Sequence, residues 1–251
     1  MRYDSPGTEN PTPITQIVDR AFGIYAVSFK PLLTIGAIAA VVGNLPPIVG
    51  MGSETGATMW LMLMSAVTTG LMAAAVTGLV ITGRAGAPLT MSAARESIRR
   101  YGMRFVGGTT LLSLAQMAPL MLPVWASLWA GVIAIYLVIR LSLFGPAIVI
   151  EEADIADSMG RSWGLLGGRW WRTLALLLLI NSPNFAVVLV TLVLPIPGLV
   201  TFVLLTVVGS VVGPFIVVAK LLLFEDYRHL AHDQPGAPAD AVPPEGPGPF
   251  A

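Results

Sequence analysis

The sequence predicts an all-α integral membrane protein, a polytopic bundle with six transmembrane helices in three hairpin repeats. Three observations predict this fold class. Of the 251 residues, 55% are hydrophobic and only 11% are charged, whereas soluble domains carry about 25% charged residues. The apolar residues lie in blocks long enough to cross a bilayer, which takes about 20 residues. One plan of surface helix, aromatic residue and apolar hairpin also occurs three times along the chain.

Composition excludes several kinds of site. The formal net charge is zero, so nothing in the charge balance predicts binding to nucleic acid. The chain has no cysteine, which excludes disulfides, thiolate metal sites and cysteine nucleophiles. The sequence contains no phosphate-binding loop and no metalloprotease, hydrolase or dinucleotide motif. We therefore expect no enzyme activity, no catalytic residue, no metal and no cofactor.

The apolar blocks give six spans with short or basic connections. The spans are predicted at about 31–49, 57–82, 105–122, 124–143, 172–194 and 199–223. Helical spacing of apolar residues predicts amphipathic helices at the membrane surface over 14–29, 92–103 and 155–167. Asp154 is a suitable N-cap for the third of these. The fifth span contains Asn181-Ser-Pro183-Asn184, where we expect the helix to be broken.

The membrane domain is predicted at 14–224, with a polar segment on either side. The leader, residues 1–13, lacks the apolar core of a signal peptide, so insertion is expected to depend on the spans themselves. The tail, residues 225–251, is rich in proline, glycine and alanine. We expect both segments to be disordered.

Two spans carry small residues at intervals of four, which lets helix backbones approach closely. These positions are Ala66, Gly70, Ala74 and Gly78 in span 2, and Gly209 and Gly213 in span 6. The pattern is equally consistent with packing inside one chain and with a dimer.

The distribution of basic residues predicts the orientation. Lys and Arg lie in the N-terminal region, in the connections after spans 2 and 4, and in the C-terminal segment. The turns after spans 1, 3 and 5 contain none. Because basic segments are retained in the cytoplasm, we expect a multi-pass protein of the cell membrane with both termini cytoplasmic.

The three repeats align on Phe29, Phe105 and Trp170, and this alignment also places Tyr25 over Tyr101. Aromatic rings at the start of a span suit the membrane interface. We therefore expect each surface helix to enter its hairpin at an interfacial aromatic residue.

The first span of each repeat carries an amide followed closely by proline. The amides are Asn44, Gln116 and Asn181, with Asn184 directly after Pro183. Gln116 and Asn181 are expected about 16 Å below the aligned aromatics, at about 1.5 Å per residue. The amides either line a polar cavity around a pseudo-threefold axis, or bond across helices and satisfy carbonyls freed by proline.

Residues 140–172 read RLSLFGPAIVIEEADIADSMGRSWGLLGGRWWR. With IVDRAFGIYAVSFKPLLTIG and LLLFEDYRHL nearer the termini, this pattern resembles the glycerophosphoryl diester phosphodiesterase membrane-domain family. In that family a span ends near Arg and is followed by Pro-Ala-Ile-Val, an acidic residue, an Arg-Ser-Trp helix and a Gly-Arg-aromatic-Trp start. The matching residues are Arg140, Pro146, Ala147, Ile148, Val149, Glu151, Arg161, Ser162, Trp163, Gly168, Arg169, Trp170 and Trp171.

The resemblance covers about residues 13–230 and implies a membrane module. The family takes its name from proteins in which this domain is fused to a soluble phosphodiesterase. The short connectors and tails here leave no room for that catalytic barrel, so the resemblance does not imply hydrolysis. Glu151-Glu152 followed by Ala-Asp replaces the glycine-containing turn usual in that family. We therefore expect this loop to differ in shape.

Arg140 is the charge with the deepest expected position. It follows one apolar run and precedes another, and a charge inside the bilayer edge is a functional hypothesis by default. The structural alternative is that Arg140 extends to the headgroups or pairs with Glu151 or Glu152.

A lipid-phosphate or interface site is the other candidate. It combines Arg140 with residues of the third repeat, namely Arg161, Trp163, Arg169, Trp170, Trp171 and Arg172. Arginine forks phosphate oxygens while indole rings lie among headgroups. An ordinary interfacial belt that anchors the positive side of the protein would use the same residues.

Two hypotheses for function follow. The first is a non-catalytic module that scaffolds a protein partner, a second copy of itself or membrane lipid at the cytoplasmic face. The second is a transporter or lipid-handling permease that uses the amides. A transporter needs polar groups near the midplane. The sequence predicts that polar groups inside the membrane are sparse and entirely uncharged, which favours the scaffold.

Overall fold

The computed structural model describes residues 11–44, 54–87, 89–117, 122–194 and 198–232. These ranges are helical apart from short connections, and the all-α prediction is confirmed. The helices are α1 (Ile14–Val27), α2 (Phe29–Asn44), α3 (Glu54–Arg84), α4 (Met91–Met117), α5 (Val124–Arg140), α6 (Phe144–Ile150), α7 (Ile155–Leu165), α8 (Trp170–Val193) and α9 (Gly198–His232).

Several helices are long and apolar enough to cross a bilayer, which confirms a multi-pass membrane protein. In the described ranges the candidate spans are Trp60–Arg84, Trp125–Ile150, Trp170–Val193 and Leu199–Ala231. α1 and α2, bent by 94° at Ser28, make a fifth if the pair is one span. α4 has 27 residues and is also long enough to cross a bilayer. The basic residues in its first half make it less apolar than the candidate spans.

Helices α3 and α9 form the centre of the bundle. α2 packs against both, α4 lies along α3, and α8 lies along α9. α5 is held mainly at α4 and α8, and it exposes Trp125, Leu128 and Trp129 at 71–74% of their surface. Exposed apolar side chains on a membrane-spanning helix face lipid tails, so this side of α5 faces the bilayer.

The small-residue stripe on α3 lies against α4. Ser97 Oγ donates to the carbonyl of Ala74 at 2.7 Å, and Thr109 Oγ1 donates to the carbonyl of Ala66 at 2.9 Å. A methyl group added at Gly78 would overlap the Ser97 side chain. The stripe therefore allows close packing inside one chain, and its small residues let two hydroxyls reach backbone oxygens of the neighbouring helix.

The glycine pair of α9 also packs within the chain. A methyl group at Gly209 would lie 3.6 Å from Ala40 Cβ, and one at Gly213 would lie 3.1 Å from Met72 Sδ. Gly209 therefore faces α2 and Gly213 faces α3, so α9 contacts both helices through one small-residue face.

Helix α6 extends the fourth span beyond its predicted end at residue 143. Residues 144–149 are buried, and α6 packs on α3, α4, α7 and α9. At the contact between α6 and α4, each helix packs a phenylalanine ring against a glycine of the other. Phe144 lies on Gly108, and Phe105 lies on Gly145. The two ring centroids are 6.2 Å apart. This segment is a core element and not an exposed exit loop.

Helix α8 corrects the prediction of a broken fifth span. It runs without interruption from Trp170 to Val193, with Pro183 inside. Proline removes the N–H that would bond to the carbonyl of Leu179. Ser182 Oγ donates to that carbonyl at 2.8 Å. The hydroxyl replaces the lost hydrogen bond, so the helix continues.

One of the three surface helices differs from the prediction, because the helix expected over 92–103 is continuous with the third span in α4. α1 packs on α9 and buries Ile17, Ala21 and Tyr25 there, and its place at the membrane surface stays a prediction. α7 begins where expected, because Asp154 Oδ1 accepts from the Asp157 N–H at 2.9 Å and caps the helix.

The ordered chain extends beyond the predicted domain boundary at residue 224. α9 continues through Glu225 to His232, because Tyr227 is fully buried and anchors the added turns. In the predicted leader, Thr12 is also buried. The remaining leader and tail, residues 1–10 and 233–251, lie outside the described residues, as do the turn prolines Pro46 and Pro119.

Candidate functional site

Two adjoining cavities of about 1220 and 990 Å³ lie between the long helices. Both are lined by residues of α2, α3, α4, α5, α6 and α9, and the second also reaches α8. They share many lining residues, and we treat them as one space, the central cavity. All six helices that contain predicted spans therefore border one interior space.

The four predicted amides lie around the central cavity. Asn44 and Gln116 line both of its parts, and Asn181 and Asn184 line the second. Gln116 and Asn181 lie on α4 and α8, the first helices of the second and third predicted hairpins. The arrangement agrees with the placement that the cavity hypothesis requires.

Each of three amide nitrogens donates to a carbonyl four residues earlier on its own helix. The distances are 2.8 Å for Asn44 to Ala40, 3.2 Å for Gln116 to Leu112 and 2.8 Å for Asn181 to Leu177. In the described ranges none of these nitrogens donates across helices. Within the described ranges, these bonds tie each amide to its own helix and not to a neighbouring one.

Lys220 is a cavity residue that the sequence interpretation missed. It lies inside α9 and lines both parts of the central cavity. Within the part of the chain that the structure describes, no carboxylate contacts its ammonium. The expectation of an uncharged interior is therefore wrong. The sequence did contain a signal for it, because Lys220 is a single lysine in the apolar run FIVVAKLLLF. The sequence interpretation counted this lysine with the C-terminal segment and so did not recognise it as a residue inside a span.

Two buried hydroxyls line the same cavity without a partner. Thr77 on α3 is 1% exposed, and Ser142, between α5 and α6, is 5% exposed. Neither hydroxyl has a hydrogen-bond partner in the described part of the chain. A buried hydroxyl without a partner costs about 1–3 kcal/mol. The cavity therefore contains polar groups that the described part of the chain does not satisfy.

Arg140 joins the end of α5 to α7. Its Nε donates to Tyr136 Oη at 2.9 Å and its Nη1 donates to the carbonyl of Trp163 at 3.1 Å. The guanidinium also lies 4.9 Å from the Trp163 ring centroid. Ser162 Oγ completes the joint by donating to the Arg140 carbonyl at 2.8 Å. The expected carboxylate partners of Arg140 are instead paired with other arginines.

The acidic loop after α6 holds those other pairs. Glu151 pairs with Arg161 at 3.1 Å, and Glu152 pairs with Arg100 at 2.6 Å. Glu152 has φ +52°, a left-handed conformation that glycine adopts most easily. Arg104 Nη1 donates to its carbonyl at 3.0 Å and helps to hold it. The left-handed turn is therefore formed although the sequence offers no glycine.

Arg172 and Arg169 form a second group around α9. Arg172 pairs with Asp226 at 2.9 Å and also donates to the Thr12 carbonyl. Both guanidinium groups lie over the Tyr227 ring, at 5.1 Å for Arg172 and 5.4 Å for Arg169. The start of α8, the end of α9 and the segment before α1 thus meet at one point.

Five of the seven residues of the predicted lipid-phosphate site form two separate groups, and Arg161 pairs with Glu151 instead. Arg140, Trp163 and Trp170 surround Tyr136, whereas Arg169 and Arg172 surround Tyr227. Trp171 points outward with 75% of its surface exposed. The guanidinium groups of these arginines already contact other residues of the chain. The lipid-phosphate site therefore stays a prediction, and its arginines also have structural roles.

The described contacts place the basic segments together at one end of the bundle. Arg84 after α3 pairs with Glu225 on α9, and Arg100 on α4 pairs with the loop after α6. We call this region the basic end. Comparison of the chain with protein-family models, with curated proteins and with solved structures finds no match.

Proposed function

We propose that this chain is a non-catalytic membrane protein that takes a lipid or a similar amphiphile into the central cavity. The observation that carries the proposal is the cavity itself, bordered by all six long helices and lined by four amides. Drug-sized ligands occupy about 300–1,000 Å³, and a space of about 1220 Å³ suits a long-chain molecule.

The lining supports an amphiphile more than a small polar solute. Apolar side chains such as Leu112, Val138 and Phe202 occupy much of the wall. Hydroxyls and amides interrupt this wall at intervals. An acyl chain matches the apolar part, and a polar headgroup matches the interruptions.

The scaffold hypothesis is our second proposal. It relies on the charged and aromatic residues of the basic end to hold a protein partner, a second copy of the chain or lipid headgroups. Arg140, Arg161 and Arg172 are each engaged in contacts within the chain. We place this function second because those contacts already account for the three guanidinium groups.

For the architecture we propose six spans in three hairpins, α2–α3, α4–α5 and α8–α9, each preceded by an interfacial helix or helix segment. Contacts within each hairpin support the pairing. We also propose membership of the glycerophosphoryl diester phosphodiesterase membrane-domain family, on the resemblance described above. In this arrangement the basic end lies at the cytoplasmic face of the cell membrane.

Cysteine labelling tests this orientation, because the natural chain has no cysteine. With a membrane-impermeant maleimide added to intact cells, we expect Glu54→Cys to be labelled. Arg95→Cys, at an exposed position of α4, should be labelled only after the membrane is opened. Labelling of position 95 in intact cells would contradict cytoplasmic placement of the basic end.

Filling the cavity tests the proposed function. Gly131 on α5 lines the cavity, and a methyl group added there meets no atom within 4 Å. Gly131→Leu should therefore fold normally, and helix propensity favours the change by about 0.5–1 kcal/mol. We expect it to reduce the lipid retained by purified protein in nanodiscs, measured by native mass spectrometry, by at least about half.

Gly23→Leu is the matched control for this experiment. Gly23 lies on α1, its added methyl group also meets no atom within 4 Å, and it does not border the cavity. We expect its retained lipid to equal that of the natural chain. Equal retention in all three proteins would mean that bound lipid lies outside the cavity.

A further inference from the structure

We propose that Lys220, Thr77 and Ser142 form a site for the phosphate group of an anionic lipid at the basic end of the central cavity. This inference rests on the proposed function and adds the headgroup that the cavity selects. The three residues come from α9, α3 and the α5–α6 turn, and all three line the second part of the cavity.

Lys220 needs an anion. Its ammonium has no carboxylate partner in the described ranges, and α9 places it among apolar turns. A charge inside a membrane protein is expensive unless it is paired or faces a polar space. Lysine binds phosphate as a compact point charge. A bound phosphate would supply the charge that the described chain does not.

The Thr77 hydroxyl lies at a depth similar to that of Lys220. Lys220 precedes Glu225 by five residues, or about 7.5 Å along α9 at about 1.5 Å per residue. Thr77 precedes Arg84 by seven residues, or about 10 Å along α3. Glu225 and Arg84 pair with each other, so they fix a common level from which both depths are measured. Ser142 follows Arg140, the last residue of α5, by two positions.

Hydroxyl groups complete a phosphate site because they donate to its oxygens. Thr77 and Ser142 are nearly fully buried and have no partner in the described chain. A headgroup phosphate would accept from both hydroxyls and from the ammonium. The same ligand would therefore satisfy three groups that otherwise carry a desolvation cost.

The remaining cavity favours a lipid over a soluble anion. From Lys220 the lining continues along one face of α9 through Val217, Gly213 and Gly209 to Leu205. This distance of fifteen residues is about 22 Å, long enough for much of an acyl chain. Asn44 and Gln116, at the C-terminal ends of α2 and α4, lie toward the far part of that space.

The test uses the full-length protein in nanodiscs of equal parts phosphatidylglycerol and phosphatidylcholine. Native mass spectrometry after stringent washing counts the retained lipids of each type. We expect the natural chain to retain phosphatidylglycerol preferentially, because its phosphate charge is not offset by a headgroup ammonium. Lys220→Met should reduce this preference by about tenfold, as expected for loss of a charged donor.

Loss of folding is not expected to obscure this result. Lys220→Met replaces an uncompensated charge with an apolar side chain of similar reach, which removes a desolvation cost. Thr77→Val and Ser142→Ala remove hydroxyls without partners, so they should leave thermal stability unchanged and reduce the preference by about threefold each. Lys220→Arg should retain most of the preference.

Lys30→Met is the control for general electrostatics, since Lys30 is exposed at the start of α2. It should leave the preference unchanged. An unchanged preference in Lys220→Met, or an equal loss in Lys30→Met, would overturn the site while lipid retention itself still supported the proposed function. Absence of any retained lipid in the natural chain would overturn the proposed function.

A soluble anion is distinguished in a separate arm. Inorganic phosphate at millimolar concentration is added to protein in a neutral detergent, and thermal stability is recorded. We expect no shift, because phosphate alone does not fill the apolar space. A stabilising shift that Lys220→Met abolishes would assign the site to a free anion and overturn the lipid.

Discussion

Adding one methyl group at Gly36 is expected to destabilise the bundle by about 2 kcal/mol or more, although alanine is the better helix former by about 1 kcal/mol. Gly36 lies where α2 crosses α9. Its added methyl group would overlap the carbonyl of Ser210 and would lie 2.7 Å from Pro214 Cγ. A backbone carbonyl and a proline ring cannot rotate away, so the two helices would have to separate.

The position of this contact follows from Pro214. Proline has no N–H, so the carbonyl of Ser210 loses its bond within α9 and is left at the helix surface. Glycine at position 36 allows the α2 backbone to approach that carbonyl. The crossing of α2 and α9 thus depends on a proline in one helix and a glycine in the other.

Thermal unfolding in detergent and unfolding in mixed SDS micelles measure the effect of Gly36→Ala. Gly209→Ala is the matched control at the same helix interface, because its added methyl group lies 3.6 Å from Ala40 Cβ, an ordinary contact. We expect Gly209→Ala to keep or slightly raise stability. Equal stability of the two variants would mean that α2 and α9 can shift without loss.

The long helices were predictable because their causes are local. Apolar run lengths indicate the spans, and small residues at intervals of four on α3 identify the face that packs on α4. Asp154 caps α7 as its position before the helix predicts. These features need only neighbours in sequence, and the structure contains them close to where the pattern predicts them.

Helix α6 was not predictable in the same way. Its apolar residues follow Arg140 and contain a Gly-Pro pair, a local pattern typical of a turn at a span's end. Phe144 is accommodated by Gly108 on α4, about forty residues earlier in the chain. Only that long-range contact makes the segment a buried helix, so local pattern alone favours the wrong structure.

The candidate site contains both a feature that local sequence predicted and a feature that it did not. The amides were identified from their spacing after three aligned aromatics, and the structure places them around one cavity. The arginine partners were not identified, because several acids lie equally close in sequence. Arg140 donates hydrogen bonds to the Tyr136 hydroxyl and the Trp163 carbonyl, whereas Glu151 forms an ion pair with Arg161. Choice of an ion-pair partner is a tertiary property, and sequence distance does not determine it.

Loss of the Asp226 carboxylate is expected to cost about 3–5 kcal/mol, the usual effect of leaving a buried charge without its partner. Asp226 and Arg172 are 8% and 16% exposed, and their atoms are 2.9 Å apart. Thr12 donates its N–H to the same carboxylate at 3.2 Å. Asp226→Ala would leave the Arg172 guanidinium beside Tyr227 with no compensating charge.

Thermal stability in detergent measures this effect, with Arg100→Ala as the matched control. The Arg100–Glu152 pair is about half exposed, and exposed pairs contribute about 0–1 kcal/mol. We expect Arg100→Ala to change stability little. Combining Asp226→Leu with Arg172→Leu should recover much of the loss, because the double change leaves no unpaired charge.

The comparison separates two roles for the basic end. If the buried pair fixes the helix ends, Asp226→Ala should also loosen α1 and the start of α8, and faster proteolysis at those segments would detect this. If Asp226→Ala and Arg100→Ala have the same small effect on stability, another anion pairs with the Arg172 guanidinium in place of Asp226. A lipid phosphate at the membrane surface is the anion available there, and retention of phosphatidylglycerol by Asp226→Ala would then exceed that of the natural chain.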